Sequence, residues 1–457
     1  MMLEHSRRYL VSRGRYLSGL SRRRSAAAIV VVLSAAILSV AAAKAQQAAP
    51  PAAAAAVQVT SLPNALTWQQ VQDRFRASNP TLKAGAIGIG ESRAQEITAH
   101  LRPNPTFGAQ LDQLTLFHTN PYQPLSQAYP NITFNYLHER DHKRELRTDS
   151  AKQGTAIAIS TQNDLVRTLN YSLRSAFVQT LQAKAVLALT TENLKYYDHV
   201  LDVSRDRLHA GDIAQVDLDR LELGRVQYES DNEMADVNLR TAKIQLLQLL
   251  NDRTPVDQFD VIGPYEFQDA MTPLDQYHQI AITNRPDLQA AIQSVEKAKI
   301  DHSLAIANGS TDPTFGFDAA HQANPINSYI GVSVNIPLRI FDRNQGEKQR
   351  TLLDIDLQQQ QAEAARASVF SDVDSAYVTV DSQLKLLRPY KEKYLQQAYS
   401  VRETISFSYQ HGGASLLDFL QAQSDYRSTQ LGYLNLVGAY LTAAAQMNEA
   451  VGQEVLP

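Results

Sequence analysis

Leu208-His209-Ala210-Gly211-Asp212-Ile213-Ala214-Gln215-Val216-Asp217 interrupts a helical pattern that otherwise runs from about Val166 to Leu250. Ahead of it, Val166, Leu169, Leu173, Ala176, Thr180, Ala183, Leu187, Thr190, Leu194, Tyr197, Leu201, Ser204 and Leu208 fall on one seam, spaced alternately by three and four. That spacing has the 3.5-residue period of a coiled coil. Its mixture of large residues with Ala and Thr suits close helix–helix contact in a wall. Helix formers resume after Asp217, so the chain folds back at Gly211 into two arms of roughly 40 residues, each about 60 Å long. An average globular helix has only about 11–12 residues. The device recurs at Tyr409-Gln410-His411-Gly412-Gly413-Ala414-Ser415-Leu416-Leu417-Asp418, between two further helical arms. Two such hairpins in one chain predict a rod or a tube.

Upstream, a helical pattern starts at Leu66-Thr67-Trp68, with Thr67 as N-cap, and continues to about Leu101 across Asn79-Pro80, where a break or kink is expected. Beyond Pro103-Asn104-Pro105 the period changes to two. Phe107, Ala109 and Leu111 alternate with Gly108, Gln110 and Asp112, and after a Pro/Asn-rich loop Ile132, Phe134 and Tyr136 alternate with Thr133 and Asn135. These are two predicted strands. Two more follow downstream, with Phe315, Phe317 and Ala319 on one face and then Ile330, Val332, Val334 and Ile336.

The recurrence marks an internal duplication. Pro80-Thr81-Leu82 pairs with Pro286-Asp287-Leu288, Pro105-Thr106-Phe107-Gly108 with Pro313-Thr314-Phe315-Gly316, and Gly211…Asp217 with Gly412…Asp418. Residues 66–270 and 271–452 thus form two repeats of one order: helix, two strands, long helix, turn, long helix. The fold class is mostly α with a small β part. Four strands cannot close a membrane barrel, which needs about eight, and an open sheet exposes both edges. Either the chain's own helices cover the sheet, or several chains pool their strands. An apolar face with aromatics backed by Gly, Asn, Ser, Thr and Gln is the pattern of a membrane barrel.

Residues 1–45 read as a signal peptide: Arg22-Arg23-Arg24, an apolar run over 26–40, and a small-x-small site at Ala43-Lys44-Ala45. Residues 46–65 read as a disordered Ala/Pro linker, and 453–457 as a C-terminal tail. The first 45 residues hold eight Lys/Arg against Glu4, leaving 35 basic and 46 acidic side chains for the remainder, a net of −11. So acidic a chain is a poor nucleic-acid binder. It has no cysteine, which excludes disulfides and thiolate metal sites.

Over Leu66–Gly452 the order of elements resembles the TolC-like outer-membrane efflux channels of Gram-negative bacteria. The resemblance implies a homotrimer whose chains each give four strands to one outer-membrane β-barrel, surrounded by outer-membrane lipid. The long helices then continue as a coiled-coil tube through the periplasm. It implies as partners a periplasmic adaptor protein and an inner-membrane pump, of the RND type, and implies no cofactor and no catalysis. In that family the two hairpin tips narrow the periplasmic entrance by pairing a Tyr and an Arg with Asp residues. The tip pattern Gly-x5-Asp is matched by Gly211/Asp217 and by Gly412/Asp418, and the gate Tyr by Tyr409. Ala414 stands where the family has Arg, and Gln421 where it has a second acid. What carries over is an Asp217–Tyr409 latch and a ring of Asp418. Helix capping accounts for both aspartates equally well, and coil packing for Tyr409. The stretch Asn335-Ile336-Pro337-Leu338-Arg339-Ile340-Phe341-Asp342-Arg343-Asn344-Gln345-Gly346 is similar to the strand-to-helix junction of the CzcC-like, heavy-metal branch, and reads as a tight polar turn. Metal-cation export is therefore expected, with drug or organic-solvent export as the alternative.

Two other classes compete. A soluble coiled-coil or adaptor protein would share the helices. His138-Glu139-Arg140-Asp141-His142 spells the zinc-peptidase motif H-E-x-x-H, but charged residues fill its variable positions and it follows a strand pattern, so it is predicted to straddle a strand–helix junction.

Overall fold

The computed structural model describes residues 63–456 apart from 115–120, 122–124, 126–127 and 322–326. The predicted signal peptide and most of the predicted linker lie outside these residues. Helix α1 (Trp68–Ser78) opens on a capping box in which Thr67 and Gln70 satisfy each other's backbone N–H groups. Pro80 disfavours helical backbone at Asn79, and Asn79 is extended, so the expected kink is a full break. Its side chain accepts from Leu82 N–H and donates to the Leu249 carbonyl, both at 3.1 Å, capping α2 (Pro80–His100) while tying it to the far end of the first hairpin.

Strands β1 (Thr106–Asp112) and β2 (Tyr129–Leu137) lead into α3 (Lys143–Ala210), which turns back as α4 (Gln215–Leu249). The second half repeats the order: α5 (Leu274–Asn284), α6 (Pro286–Ala307), β3 (Thr314–His321), β4 (Ser328–Asn335), α7 (Gln345–Pro389), α8 (Leu395–Gln410) and α9 (Leu416–Val451). Helix α3 has 68 residues, about 100 Å, and begins 23 residues before the predicted seam. Its early inward positions hold Thr148, Ser150, Thr155 and Ser160, all buried. Ser150 bonds to Asp301 and Ser160 to Gln293 of α6. A seam of small polar residues carries no apolar period. From Leu173 to Ser204 the predicted seam positions are buried or half-buried.

Between α7 and α8 the helix widens into a π turn at Tyr390–Tyr394, directly after Pro389. Proline lacks the N–H that the regular ladder requires and crowds the preceding turn, so the second long arm is jointed where the first is continuous.

Three clusters of buried side chains sit along the helices. Val373, Val380, Leu384, Val437, Tyr440 and Met447 join α7 to α9. Val71, Phe75, Leu173, Phe177, Leu246 and Val261 join α1, α3 and α4. The third lies at the hairpin tips. Beside the second, Asp260 is buried against Lys184 at 2.6 Å and Lys243 at 3.6 Å, which pins the segment returning from α4. Asp260→Ala is expected to cost about 3–5 kcal/mol, because it leaves two ammonium groups beside a vacated buried site. The exposed Arg205→Ala serves as control at under about 1 kcal/mol. Thermal unfolding followed by helical circular dichroism checks both.

Candidate functional site

The four strands form one antiparallel sheet in the order β1-β2-β3-β4. Its register sets Phe107 opposite Phe134, Phe134 opposite Phe317, and Phe317 opposite Val332, so one apolar row crosses the whole sheet. Ala109, Ile132, Ala319 and Ile330 form the next row. The large side chains of these two rows are bare, with exposures from 44% at Phe317 to 85% at Val332. The opposite face carries the row Gly108, Thr133, Asp318, Gly331 and the row Asn135, Gly316, Ser333. At Gly331 an added β-carbon would lie 2.5 Å from the Asp318 carboxylate, so a larger residue there would push that side chain aside. Among the described residues, strands β1 and β4 each have one unpaired edge. No helix among the described residues is long and apolar enough to cross a membrane.

At the other end of the long helices lie the two turns. Gly211 and Gly412 have φ of 82° and 77°, the left-handed region in which glycine avoids the Cβ clash. Tyr409 is buried, its ring stacked on Phe419 at 4.9 Å between centroids and 22° between planes. The guanidinium of Arg207, from the other hairpin, lies over the same ring at 5.1 Å. Arg207 also donates to the Tyr409 carbonyl oxygen at 3.4 Å. Burial raises the Tyr409 phenol pKa, the Arg207 charge opposes this, and Asp217 adds to the rise. The phenol oxygen is buried without a hydrogen-bond partner among the described residues. Asp217 sits in the first turn of α4, with Arg220 4.0 Å away. The structure thus gathers Tyr409 and Asp217 into one tip, and the single chain does not join them by a hydrogen bond. Asp418 closes a capping box with Ser415: it accepts from the Ser415 hydroxyl at 2.7 Å and backbone N–H at 3.2 Å, while Ser415 accepts from its N–H at 3.1 Å. These bonds hold the Asp418 pKa below the ordinary carboxylate value. The cap is therefore fully present above the ordinary aspartate pKa and is lost as pH falls through the depressed one.

Above the tip, more arginine–tyrosine contacts join the hairpins. Arg402 of α8 lies over Tyr426 at 4.1 Å, Tyr196 at 5.0 Å and Tyr399 at 5.2 Å. Arg427 covers Tyr228 at 4.9 Å and pairs with Asp231 at 2.8 Å. Sequence reasoning missed Arg207, Arg402 and Arg427, because each meets partners some 200 residues away and no local spacing records that.

The H-E-x-x-H residues do not share a helix face. His138 to His142 form the turn between β2 and α3, His142 has φ of 56°, and Glu139 pairs with Arg147 at 2.7 Å. The second junction differs from the polar turn expected of it. Asn344 with φ of 61° and Asp342 supply the turn chemistry, but Leu338, Ile340 and Phe341 are exposed.

Residues 278–453 match the family described as outer membrane efflux protein. The cobalt-zinc-cadmium resistance protein CzcC of Cupriavidus metallidurans is 22% identical over 405 residues, covering 85% of this chain and 90% of its own length. The outer membrane protein TolC of Escherichia coli is 21% identical over 421 residues, with 86% and 83% covered. Among solved structures, CusC matches with a TM-score of 0.73 at 17% identity over 84% of this chain and 92% of its own. The open-state MtrE channel of Neisseria gonorrhoeae gives 0.69 at 17% identity over 85% and 89%. Residues 278–453 thus carry the outer membrane efflux protein domain, and over most of its length the chain is similar to TolC-like outer-membrane efflux channels. That family is made of channels rather than enzymes, and its members reside in the outer membrane and extend into the periplasm as trimers of tripartite systems.

Ser415→Ala is expected to cost about 1 kcal/mol of local stability. It should raise the hydrogen-exchange rates of the first amides of α9 severalfold, while those of α4, whose N-cap Ala214 makes no side-chain bond, stay unchanged.

Proposed function

We propose that this chain forms a passive homotrimeric conduit in which three four-stranded sheets close one barrel in the outer membrane. The long helices continue the pore through the periplasm toward an adaptor protein and an inner-membrane pump of the RND type. The observation that carries this reading is the bare apolar sheet face with two unpaired edges, set at one end of a helix of about 100 Å. In this reading residues 1–45 are the export signal, 46–65 the linker, 66–270 and 271–452 the two repeats, and 453–457 the tail.

The tips are the gate. Gly211 and Gly412 form the turns, Asp217 and Tyr409 the latch, and Asp418 a ring that also caps its own helix. Ala414 removes the family arginine from its usual place, and Arg207 supplies a guanidinium to Tyr409 from the first hairpin. Cargo is heavy-metal cations, supported by the likeness to CzcC over nearly the full length of both chains and by the 335–346 junction. Export of organic compounds is the second reading, favoured by the comparable likeness to TolC.

Three outcomes are expected. The unheated protein runs as a trimer on denaturing gels and conducts in planar bilayers; a soluble monomer overturns the channel. Arg207→Ala and the pair Asp217→Ala with Tyr409→Phe each raise single-channel conductance; unchanged conductance sinks the gate and leaves the channel standing. In a strain lacking its own channel, this chain restores zinc, cobalt or cadmium tolerance; rescue of drug tolerance alone selects the second reading.

A further inference from the structure

The two strand-to-helix junctions of the duplicated fold are unequal. Five residues, His138–His142, separate β2 from α3, and all are polar. Nine residues, Ile336–Asn344, separate β4 from α7, and four of them are large and apolar. Both junctions end on a left-handed residue, His142 in the first and Asn344 in the second. The first junction shows that five polar residues suffice for the geometry. The additional residues of the second are not needed to turn the chain.

Those residues are well anchored at their base. Asn344 donates from its side chain to the Ala305 carbonyl oxygen at the end of α6 at 2.7 Å, and its N–H reaches Asp342 at 2.8 Å. Pro337 offers no N–H and ends the strand ladder. The Ile340 N–H donates to the Leu338 carbonyl oxygen at 3.0 Å, a tight turn centred on Arg339. Above this base the apolar side chains stand free: Leu338 is 78% and Phe341 90% exposed. They prolong the apolar side of β4, since Ile330, Val332, Val334, Ile336 and Leu338 follow one another at spacing two.

Arg339 and Arg343 are interleaved with them. The Arg339 Nε is buried and has no hydrogen-bond partner among the described residues. Apolar side chains beside guanidinium groups, at the rim of a face turned to hydrocarbon, match a phospholipid at the level of its headgroup.

We propose that residues 336–343 are a phospholipid anchor at the helix-side rim of the barrel. Leu338, Ile340 and Phe341 enter the acyl layer, and Arg339 and Arg343 hold an anionic headgroup phosphate. The inference rests on the outer-membrane channel reading and adds a lipid site to it. The first-repeat junction lacks the site, so a trimer carries three such anchors rather than six.

Full-length Phe341→Trp, assembled into nanodiscs with bromine-labelled acyl chains, tests the depth of the anchor. The native chain has one tryptophan, Trp68, packed against Phe177, so the wild type gives the background. The added emission is expected to be quenched by the brominated chains. Emission that is unquenched and blue-shifted assigns the segment to a neighbouring copy, and unquenched water-like emission assigns it to solvent; either overturns the proposal. Leu338→Trp serves the same purpose if Phe341→Trp does not assemble. In equal mixtures of phosphatidylglycerol and phosphatidylcholine, Arg339→Gln and Arg343→Gln should each lower the enrichment of phosphatidylglycerol about fivefold. An unchanged enrichment removes the headgroup site. Restricting both measurements to preparations that conduct separates this failure from failure of the channel reading, which would show in the wild type.

Discussion

A sheet whose apolar face is left bare by its own chain cannot be at rest in water. Phenylalanine, valine and isoleucine rows crossing all four strands would lose on the order of 25 cal/mol for every Å² left wet, and both edge strands would offer unpaired ladders to any chain. The long helices do not relieve this, because α3 and α7 run on from the strands and pack against α6. On the proposed reading the requirement is met from outside the chain: lipid against the face, and further strands at the edges. In that reading the remaining features follow from the same need, including the duplication that gives an even number of strands and the length of helix that would carry a pore beyond the membrane.

The sequence revealed the parts that have a period or a punctuation mark. Alternation at Phe107–Leu111 and Ile330–Ile336 was legible because each strand has one polar and one apolar face. Gly211 and Gly412 were legible because only glycine sits comfortably at positive φ without a partner. The start of α3 was not, because Thr148, Ser150, Thr155 and Ser160 pack it through small polar contacts that leave no apolar stripe to follow. The 335–346 junction was read by its turn residues, Pro, Asp, Asn and Gly. The apolar residues between them were undervalued, since a turn signal says nothing about what the turn exposes.

The tip chemistry was legible only in part, for a different reason. Tyr409, Asp217 and Asp418 could be located by their spacing from the glycines. The capping role of Asp418 was also on offer, and Ser415 three residues earlier is the signal that decides for it. Arg207 is only four residues before Gly211, yet its partner belongs to the other hairpin. Long-range cation–π contacts such as those of Arg207, Arg402 and Arg427 depend on how two coils lie side by side. That information resides in the seam packing as a whole and not in any short motif.

The absence of an arginine at Ala414 alters the energetics of closure on the proposed reading. A cation–π contact is worth about 0.5–2 kcal/mol, and Arg207 makes it within its own chain. Three copies then resist opening by only a few kcal/mol in total, unless contacts between chains add to it. A partner shifts such an equilibrium by its difference in affinity for the two states, and about 5.5 kcal/mol takes it from 1:99 to 99:1. That lies within reach of a docking protein engaging three pairs of turns. Opening also needs a place to bend, and the two arms are not alike in this respect. Helix α3 runs unbroken to its turn, while α7 and α8 meet at the π turn behind Pro389, where one regular hydrogen bond is already missing. The second hairpin is thus the softer of the two, and Tyr409, the residue clasped by Arg207, is the one it carries.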